Sequence, residues 1–378
     1  MQNPIIIIGT GLAGYTTAKE IRKRDQSTPL LMITQDRGRY YSKPMLSTAC
    51  AQNKTIDALT LSDADQMAAN LSAEIHTQSV IKRIDIQNKK IIMDDAAFNF
   101  SKLILACGAK TNKLSIGGDA VSQVYSINDL TRYEDFHKKL SQSKKIVIIG
   151  AGLIGCEFAN DLCSAGHAVT IISPDTHPMR RMLPKPIAEM LSHRLTAAGV
   201  NWIFNDAADE VNQQRNGFEV TLKSGERLDA DIVISAIGIR SNTAIAEAAG
   251  IAVNHGVMTD EFLQTNKADI YALGDCAEIA GQVRQFVAPI MHASKALAAT
   301  MCGESTAVQF PIMPVVVKTP DCPVVLVPPA HEMEGEWQYA MDADHAVAKF
   351  MNEQGSLSGF ILLGKKAIAQ RMALMQMM

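Results

Sequence analysis

The feature that most constrains this chain is a pattern that occurs twice: an apolar run, a Gly-x-Gly-x-x-Gly turn, a helix-forming segment and a second apolar run. The first copy begins at Ile5-Ile6-Ile7-Ile8 and continues as Gly9-Thr10-Gly11-Leu12-Ala13-Gly14. Consecutive isoleucines suit a strand buried on both faces, because β-branched side chains pack well there. Each glycine then has its own task. Gly9 permits a tight turn, Gly11 lets a pyrophosphate approach the backbone, and Gly14 lets the next helix pack on the strand. That helix is expected from about Leu12 to Arg24, its free N–H groups and positive dipole end facing the phosphates. A second strand over residues 30–33 runs out at Gln35-Asp36, about where an acidic residue binds the adenosine ribose hydroxyls.

The second copy is Lys145-Ile146-Val147-Ile148-Ile149, then Gly150-Ala151-Gly152-Leu153-Ile154-Gly155, a helix through about Ala165 and a strand over residues 168–172. One glycine fingerprint is a weak signal. Two complete strand–glycine–helix–strand contexts are far more specific, and they imply two bound dinucleotides. The end of this later strand is less clear. Asp175 follows later than the ideal position and favours a free 2′-hydroxyl, hence NAD; Arg180 and Arg181 would instead meet a 2′-phosphate. The reading leans to NAD.

A chain of 378 residues is long enough for two or three domains. Its net charge of −3 gives no electrostatic footprint for nucleic acid, and no apolar run reaches the length of a membrane span. The fold is expected to start at residue 5, leaving no room for a targeting peptide, so a cytoplasmic protein without membrane insertion is expected. The seven cysteines, at 50, 107, 156, 163, 276, 302 and 322, include no Cys-x-x-Cys, and the nine histidines form no ligand-like pair. No metal site is therefore expected, and the thiols read as small buried groups in a reducing compartment. The methionines at 372, 375, 377 and 378 read as a pliable apolar tail.

Between the fingerprints, residues 37–47 form a basic, aromatic stretch expected to be a loop leading into a short helix. Residues 74–85 and 89–93 have strand character, and residues 102–109 form a buried strand ending in small residues. Helices are expected near 129–141, 243–249 and 289–302, and strands at 231–238 and up to Gly274-Asp275. From Phe310 the composition turns proline- and valine-rich, with strands over 311–329 and then a mixed tail, which marks a small third domain.

With these residues in view, the chain resembles a known family. The paired fingerprints, Ala106-Cys107-Gly108 and Asp269-Ile270-Tyr271-Ala272-Leu273-Gly274-Asp275 match the two-dinucleotide flavoprotein reductases of the glutathione reductase-like fold. More narrowly, Tyr41-Ser42-Lys43-Pro44-Met45-Leu46-Ser47, the stretch from Gly152 to Leu162, and Val317-Lys318-Thr319-Pro320 resemble the rubredoxin–NAD reductases. The likeness covers most of residues 4–330. It implies an α/β protein with two Rossmann-like domains, an FAD domain (1–110 and 240–310) holding an inserted NAD(H) domain (111–239), plus a small C-terminal α+β domain (311–378). FAD would take the first fingerprint and NADH the second, including Leu153 and Ile154. Asp36 and Arg37 would lie by the adenosine ribose, Asp275 at the ribitol, the Val80 backbone at adenine, and Cys107 and Gly108 along the cofactor. Lys43, Lys318 and the backbone near Val287 and Met291 would touch the flavin ring. Glu157 would sit where the nicotinamide meets the flavin; its alternative is a carboxylate stabilised by the helix dipole.

Departures from the wider family matter equally. Disulfide reductases of this fold carry a Cys-x4-Cys after the first FAD segment, and related NADH oxidases and peroxidases need one cysteine there. Here residues 42–47 hold none, and the next cysteine is Cys50. Electrons would then leave the flavin directly: hydride to flavin N5, followed by single-electron steps to a protein acceptor. The resemblance implies rubredoxin, as in alkane hydroxylation systems, docked on a basic rim of Arg37, Arg39, Lys43 and Lys318. A [2Fe–2S] ferredoxin of an oxygenase system is the alternative acceptor, and an NADH-responsive regulatory flavoprotein is the alternative of another class. The tail is short for the long dimerisation domain of disulfide reductases, so a monomer is expected.

Overall fold

The computed structural model describes residues 2–378. The chain divides into two compact units: one comprises the chain up to Lys43, Thr55–Lys110 and Ile239–Pro311, the other Pro44–Lys54, Thr111–Gly238 and Ile312–Met378.

The first unit is built on a five-stranded parallel sheet in the order Ile270–Ala272, Lys102–Leu105, Ile5–Ile8, Leu30–Ile33, Glu74–His76. The isoleucine strand is central, with Ile5 level with both Leu30 and Lys102. All four isoleucines are buried, as a strand covered on both faces requires. The helix Leu12–Arg24 follows, and packs against a later helix, Val287–Met301. Small side chains make that contact close: the Thr17 hydroxyl donates to the Ser294 hydroxyl at 3.0 Å, and both are buried.

The segment expected to have strand character over 74–85 is divided between two sheets. Glu74–His76 joins the parallel sheet, whereas Ile81–Asp85 pairs antiparallel with Lys90–Met93. The interruption has a cause. Gln78 turns to a φ of 51°, and the backbone N–H groups of Gln78 and Ser79 donate to the carbonyls of Asp36 and Thr34, each at 2.8 Å. The chain is pulled to the end of the second strand there, which leaves Val80 exposed.

In the second unit the repeated pattern forms its own parallel sheet, ordered Val200–Phe204, Ala168–Ser173, Lys145–Ile149, Ile232–Ser235. The helix Leu153–Ser164 connects its two central strands. Three antiparallel strands follow within the unit: Ala208–Gln214, Gly217–Leu222 and Arg227–Ala230. Residues from Ile312 onward belong to the same compact unit and form a five-stranded antiparallel sheet. Two of its strands, Val315–Val317 and Val324–Val327, lie in the proline- and valine-rich stretch. The other three, Gly335–Met341, Ala346–Asn352 and Leu357–Leu363, occupy the tail that composition left as mixed. Val325, Phe360, Leu362 and Leu374 give that region a core of its own. No helix is long and apolar enough to cross a membrane among the described residues.

Candidate cofactor-binding site

In the first unit the glycine turn is dictated by what a side chain would strike. Gly9 has a φ of 110°, and a Cβ on it would lie 2.3 Å from the Ala106 carbonyl oxygen. A Cβ on Gly14 would lie 2.0 Å from the carbonyl of Gly9, so helix and strand meet backbone to backbone. Gly11 differs: a Cβ there meets nothing within 4 Å. It is also the N-cap of Leu12–Arg24, and no side chain caps that helix. Open space beside uncapped N–H groups is what a pyrophosphate needs.

The surrounding residues fit the rest of a dinucleotide. Asp36 Oδ1 accepts from the Gly38 N–H at 2.8 Å, the Thr34 hydroxyl at 2.9 Å and the Thr10 hydroxyl at 3.3 Å. Its position is thereby fixed, with Arg37 exposed beside it. A Cβ on Gly274 would lie 2.7 Å from that of Ala13, so the Gly274-Asp275 turn sits directly on the first helical turn. The Asp275 carboxylate lies 3.6 Å from Lys43 Nζ, and its carbonyl accepts from Ser241 at 2.8 Å. Gly108 has a φ of 67° with open space at its Cβ, and its carbonyl accepts from Asn242 N–H at 3.0 Å. Val80, Val287 and Met291, apolar residues matched to the flavin or adenine, are all exposed, as is Phe286 at the helix start, which the sequence did not single out.

The second unit repeats the turn in detail. Gly150 has a φ of 112° and would strike the Ala236 carbonyl at 2.7 Å, and Gly155 the Gly150 carbonyl at 2.1 Å. Gly152 again has nothing within 4 Å and caps its helix without a side-chain bond. Leu153 and Ile154 open that helix, Ile154 exposed. The strand-end carboxylate is held far more loosely than Asp36: Asp175 has an exposed Arg180 at 3.5 Å.

One turn into the second helix lies a buried network. Glu157 is fully buried and receives the Lys318 ammonium at 2.7 Å, the Lys318 backbone N–H at 2.8 Å and the Ser47 hydroxyl at 2.5 Å. Lys318 Nζ also donates to Ser47 Oγ at 2.8 Å and to the Pro44 carbonyl. Two readings change as a result. Glu157 is held by a lysine and a serine rather than by the helix dipole alone, and Lys318 is not a free cation for a docking rim. Further along the same helix face, Asp161 accepts from the N–H groups of Cys50 and Ala51 at 2.9 and 3.0 Å. Asn160 bonds Asp321 through both its amide nitrogen and its oxygen. Burial raises the Asp161 pKa, opposed by those two N–H bonds.

Sequence reasoning missed Ser47, Asn160, Asp161 and Asp321. The signal was present in the spacing 157, 160, 161, 164, which puts four polar residues on one face of an otherwise apolar helix. Cys50, the thiol nearest the absent relay position, is buried against the Tyr133 hydroxyl at 3.2 Å, and burial pushes its pKa up to about 12. It is poorly suited to redox exchange. Among the described residues, no group of three or more His, Cys, Asp or Glu is placed to hold a metal.

Two dinucleotide cradles on one chain define a class of reductase, and comparison with known families agrees. Residues 3–299 match the pyridine nucleotide-disulphide oxidoreductase family, to which the chain belongs. More particularly, it is similar to the rubredoxin-NAD(+) reductase of Alcanivorax borkumensis, 42% identical over 98% of this chain and 97% of that one. It is also similar to the rubredoxin-NAD(+) reductase of Acinetobacter baylyi, 40% identical with the same coverage of each. Residues 307–378 match a rubredoxin binding C-terminal domain. In fold it resembles a ferredoxin reductase from Rhodopseudomonas palustris, with a TM-score of 0.88, 22% identity and coverage of 98% of this chain and 94% of that one.

Proposed function

We propose that this chain takes electrons from NADH through a bound FAD and delivers them to rubredoxin. The observation that carries the reading is the coexistence of two glycine cradles with a C-terminal region matching a rubredoxin-binding domain. Bound together, FAD and NADH supply hydride transfer between them and onward delivery of single electrons. The protein's part is to bind and orient. N–H groups at the start of Leu12–Arg24 hold the FAD pyrophosphate, Asp36 the ribose, and Asp275 with Lys43 the ribitol end. The Gly152 turn holds the NADH pyrophosphate. Glu157 and Ser47 fix the Lys318 ammonium in one position. A cytoplasmic location fits this reading through its supply of NADH.

Stopped-flow mixing of the NADH-reduced protein with rubredoxin tests it. Rapid rubredoxin reduction is expected; fast transfer to a [2Fe–2S] ferredoxin and none to rubredoxin would replace the acceptor, and no transfer to either would leave a regulatory protein.

Nicotinamide choice follows from Asp175. A 2′-phosphate brought to a carboxylate is costly, and Arg180 is already paired with that carboxylate. NADH is therefore favoured over NADPH in kcat/KM, and Asp175→Ala narrows the gap by about tenfold. A native preference for NADPH would show that Arg180 and Arg181 dominate.

The basic rim reduces to Arg37 and Arg39, because Lys43 lies 3.6 Å from the Asp275 carboxylate and Lys318 is bonded to Glu157. Rubredoxins are acidic, so acceptor association slows as salt shortens the Debye length below about 8 Å. Arg39→Glu is expected to raise the KM for rubredoxin severalfold while single-turnover flavin reduction stays unchanged. Indifference to both salt and Arg39→Glu would place docking elsewhere.

A further inference from the structure

The helix Leu153–Ser164 buries two polar side chains that its glycine cradle does not need. Asn160 has no exposed surface and Asp161 is 5% exposed, among the equally buried apolar residues Phe158, Ala159 and Leu162. Burying an amide and a carboxylate is unfavourable unless each finds partners. Both find them, on two short segments of the same unit.

The first segment is Pro44–Lys54, which belongs to the second unit although the chain on either side of it belongs to the first. Asp161 accepts the Cys50 and Ala51 N–H groups, one on each carboxylate oxygen, and one helical turn earlier Glu157 accepts the Ser47 hydroxyl. Positions 157 and 161 share a helix face, so the helix grips this excursion at two points. The second segment is the turn after the strand Val315–Val317. Glu157 accepts the Lys318 N–H at its start. At its end the Asp321 N–H donates to Asn160 Oδ1 at 3.3 Å, and the Asn160 amide donates back to the Asp321 carboxylate. The turn is closed internally, the Cys322 N–H donating to the Thr319 carbonyl at 2.9 Å and the Thr319 hydroxyl to the Cys322 carbonyl at 2.6 Å.

The two segments meet at one atom. Lys318 Nζ donates to Ser47 Oγ and the Pro44 carbonyl on the first segment, and to Glu157 on the helix. Lysine carries its ammonium on a long, flexible stem. Its position is therefore set only while both its own backbone and its acceptors are held. We propose that Asn160 and Asp161 are positioning residues for the Lys318 ammonium. Asn160 fixes the turn that carries the lysine, and Asp161 fixes the segment that supplies Ser47 and Pro44. Neither touches the ammonium itself. In the reaction proposed above, on which the kinetic part of this role rests, loss of either hold slows flavin reduction by bound NADH. NADH binding is unchanged, because the Gly152 cradle lies at the start of the helix.

The test acetylates the flavin-loaded protein briefly with acetic anhydride and reads each lysine by mass spectrometry. Asn160→Asp sets two carboxylates against each other. Acetylation of Lys318 is expected to rise severalfold, while the exposed Lys365 and Lys366 keep their wild-type rates. Combining Asn160→Asp with Asp321→Asn restores an amide facing a carboxylate, and Lys318 returns to its wild-type rate. Asp161→Asn, a milder change that keeps one of the two acceptors, gives the same selective rise and serves where Asn160→Asp folds poorly. Stopped-flow mixing with NADH is the second reading: the limiting rate of flavin reduction falls and recovers in step with Lys318 acetylation, at constant Kd for NADH. Unchanged Lys318 acetylation in these variants, a rise shared by all lysines, or no recovery in the exchanged pair would overturn the proposal. Absence of NADH-driven flavin reduction in the wild type would instead count against the function proposed above, and acetylation would still decide the positioning role.

Discussion

Gly11→Val will give a folded protein that purifies without colour. The backbone at Gly11 is extended, φ −70° and ψ −173°, which valine adopts readily, and a Cβ there strikes no atom within 4 Å. The fold therefore tolerates the side chain, while the valine methyl groups fill the approach that the FAD pyrophosphate requires. Flavin content is expected to fall below about a tenth of wild type, read from the flavin absorbance bands, with an unchanged thermal transition. The neighbouring glycine gives the contrast. Gly14→Ala places a Cβ 2.0 Å from the Gly9 carbonyl and should cost the fold itself. A yellow Gly11→Val protein with native stability would remove FAD from the first cradle.

Lys318→Met should destabilise the protein far more than an exposed lysine normally does. Among the described residues its ammonium is the only cation bonded to Glu157, a carboxylate with no exposed surface. Removing one member of such a pair leaves a buried charge, at a cost of about 3 kcal/mol. Adding Glu157→Gln removes that charge and should recover most of the loss, because the amide oxygen still accepts the backbone N–H of position 318. Denaturation midpoints of the two single variants and the double variant form the cycle that measures this. A Lys318→Met midpoint equal to wild type would mean that the Lys318–Glu157 pair contributes nothing to stability.

Both cradles were readable because their physics is local. A β-branched run followed by glycines at fixed spacing determines strand, turn and helix within thirty or so residues, and Ile5–Ile8 sits where such a run belongs. The break at Thr77–Val80 was not readable, since strand propensity over 74–85 is continuous and only bonds to the distant Asp36 and Thr34 interrupt it. The helix Lys185–Ala197 and the three strands between Ala208 and Ala230 carry ordinary amphipathic signals that the two fingerprints overshadowed. In the tail, alternation in Gly335–Met341 is blurred because that strand ends the sheet with both faces largely exposed. The Ser47–Glu157–Lys318 network joins residues more than a hundred positions apart, and no spacing rule encodes such a meeting. Residue type alone favoured a free Lys318; burial of its carboxylate partner decided otherwise.

If Asp36 and Asp175 hold the two riboses as proposed, their unequal anchoring bears on how long each ligand stays. Asp36 is locked by three donors before any ribose arrives, so binding orders nothing further there and release gains little freedom. Asp175 hangs on a long contact with an exposed arginine, and an arriving ribose must break or reorient that contact. Affinity differences of this kind appear chiefly in dissociation rates. In the function proposed above, the first cradle suits a ligand that remains through many turnovers, and the second one that leaves after each.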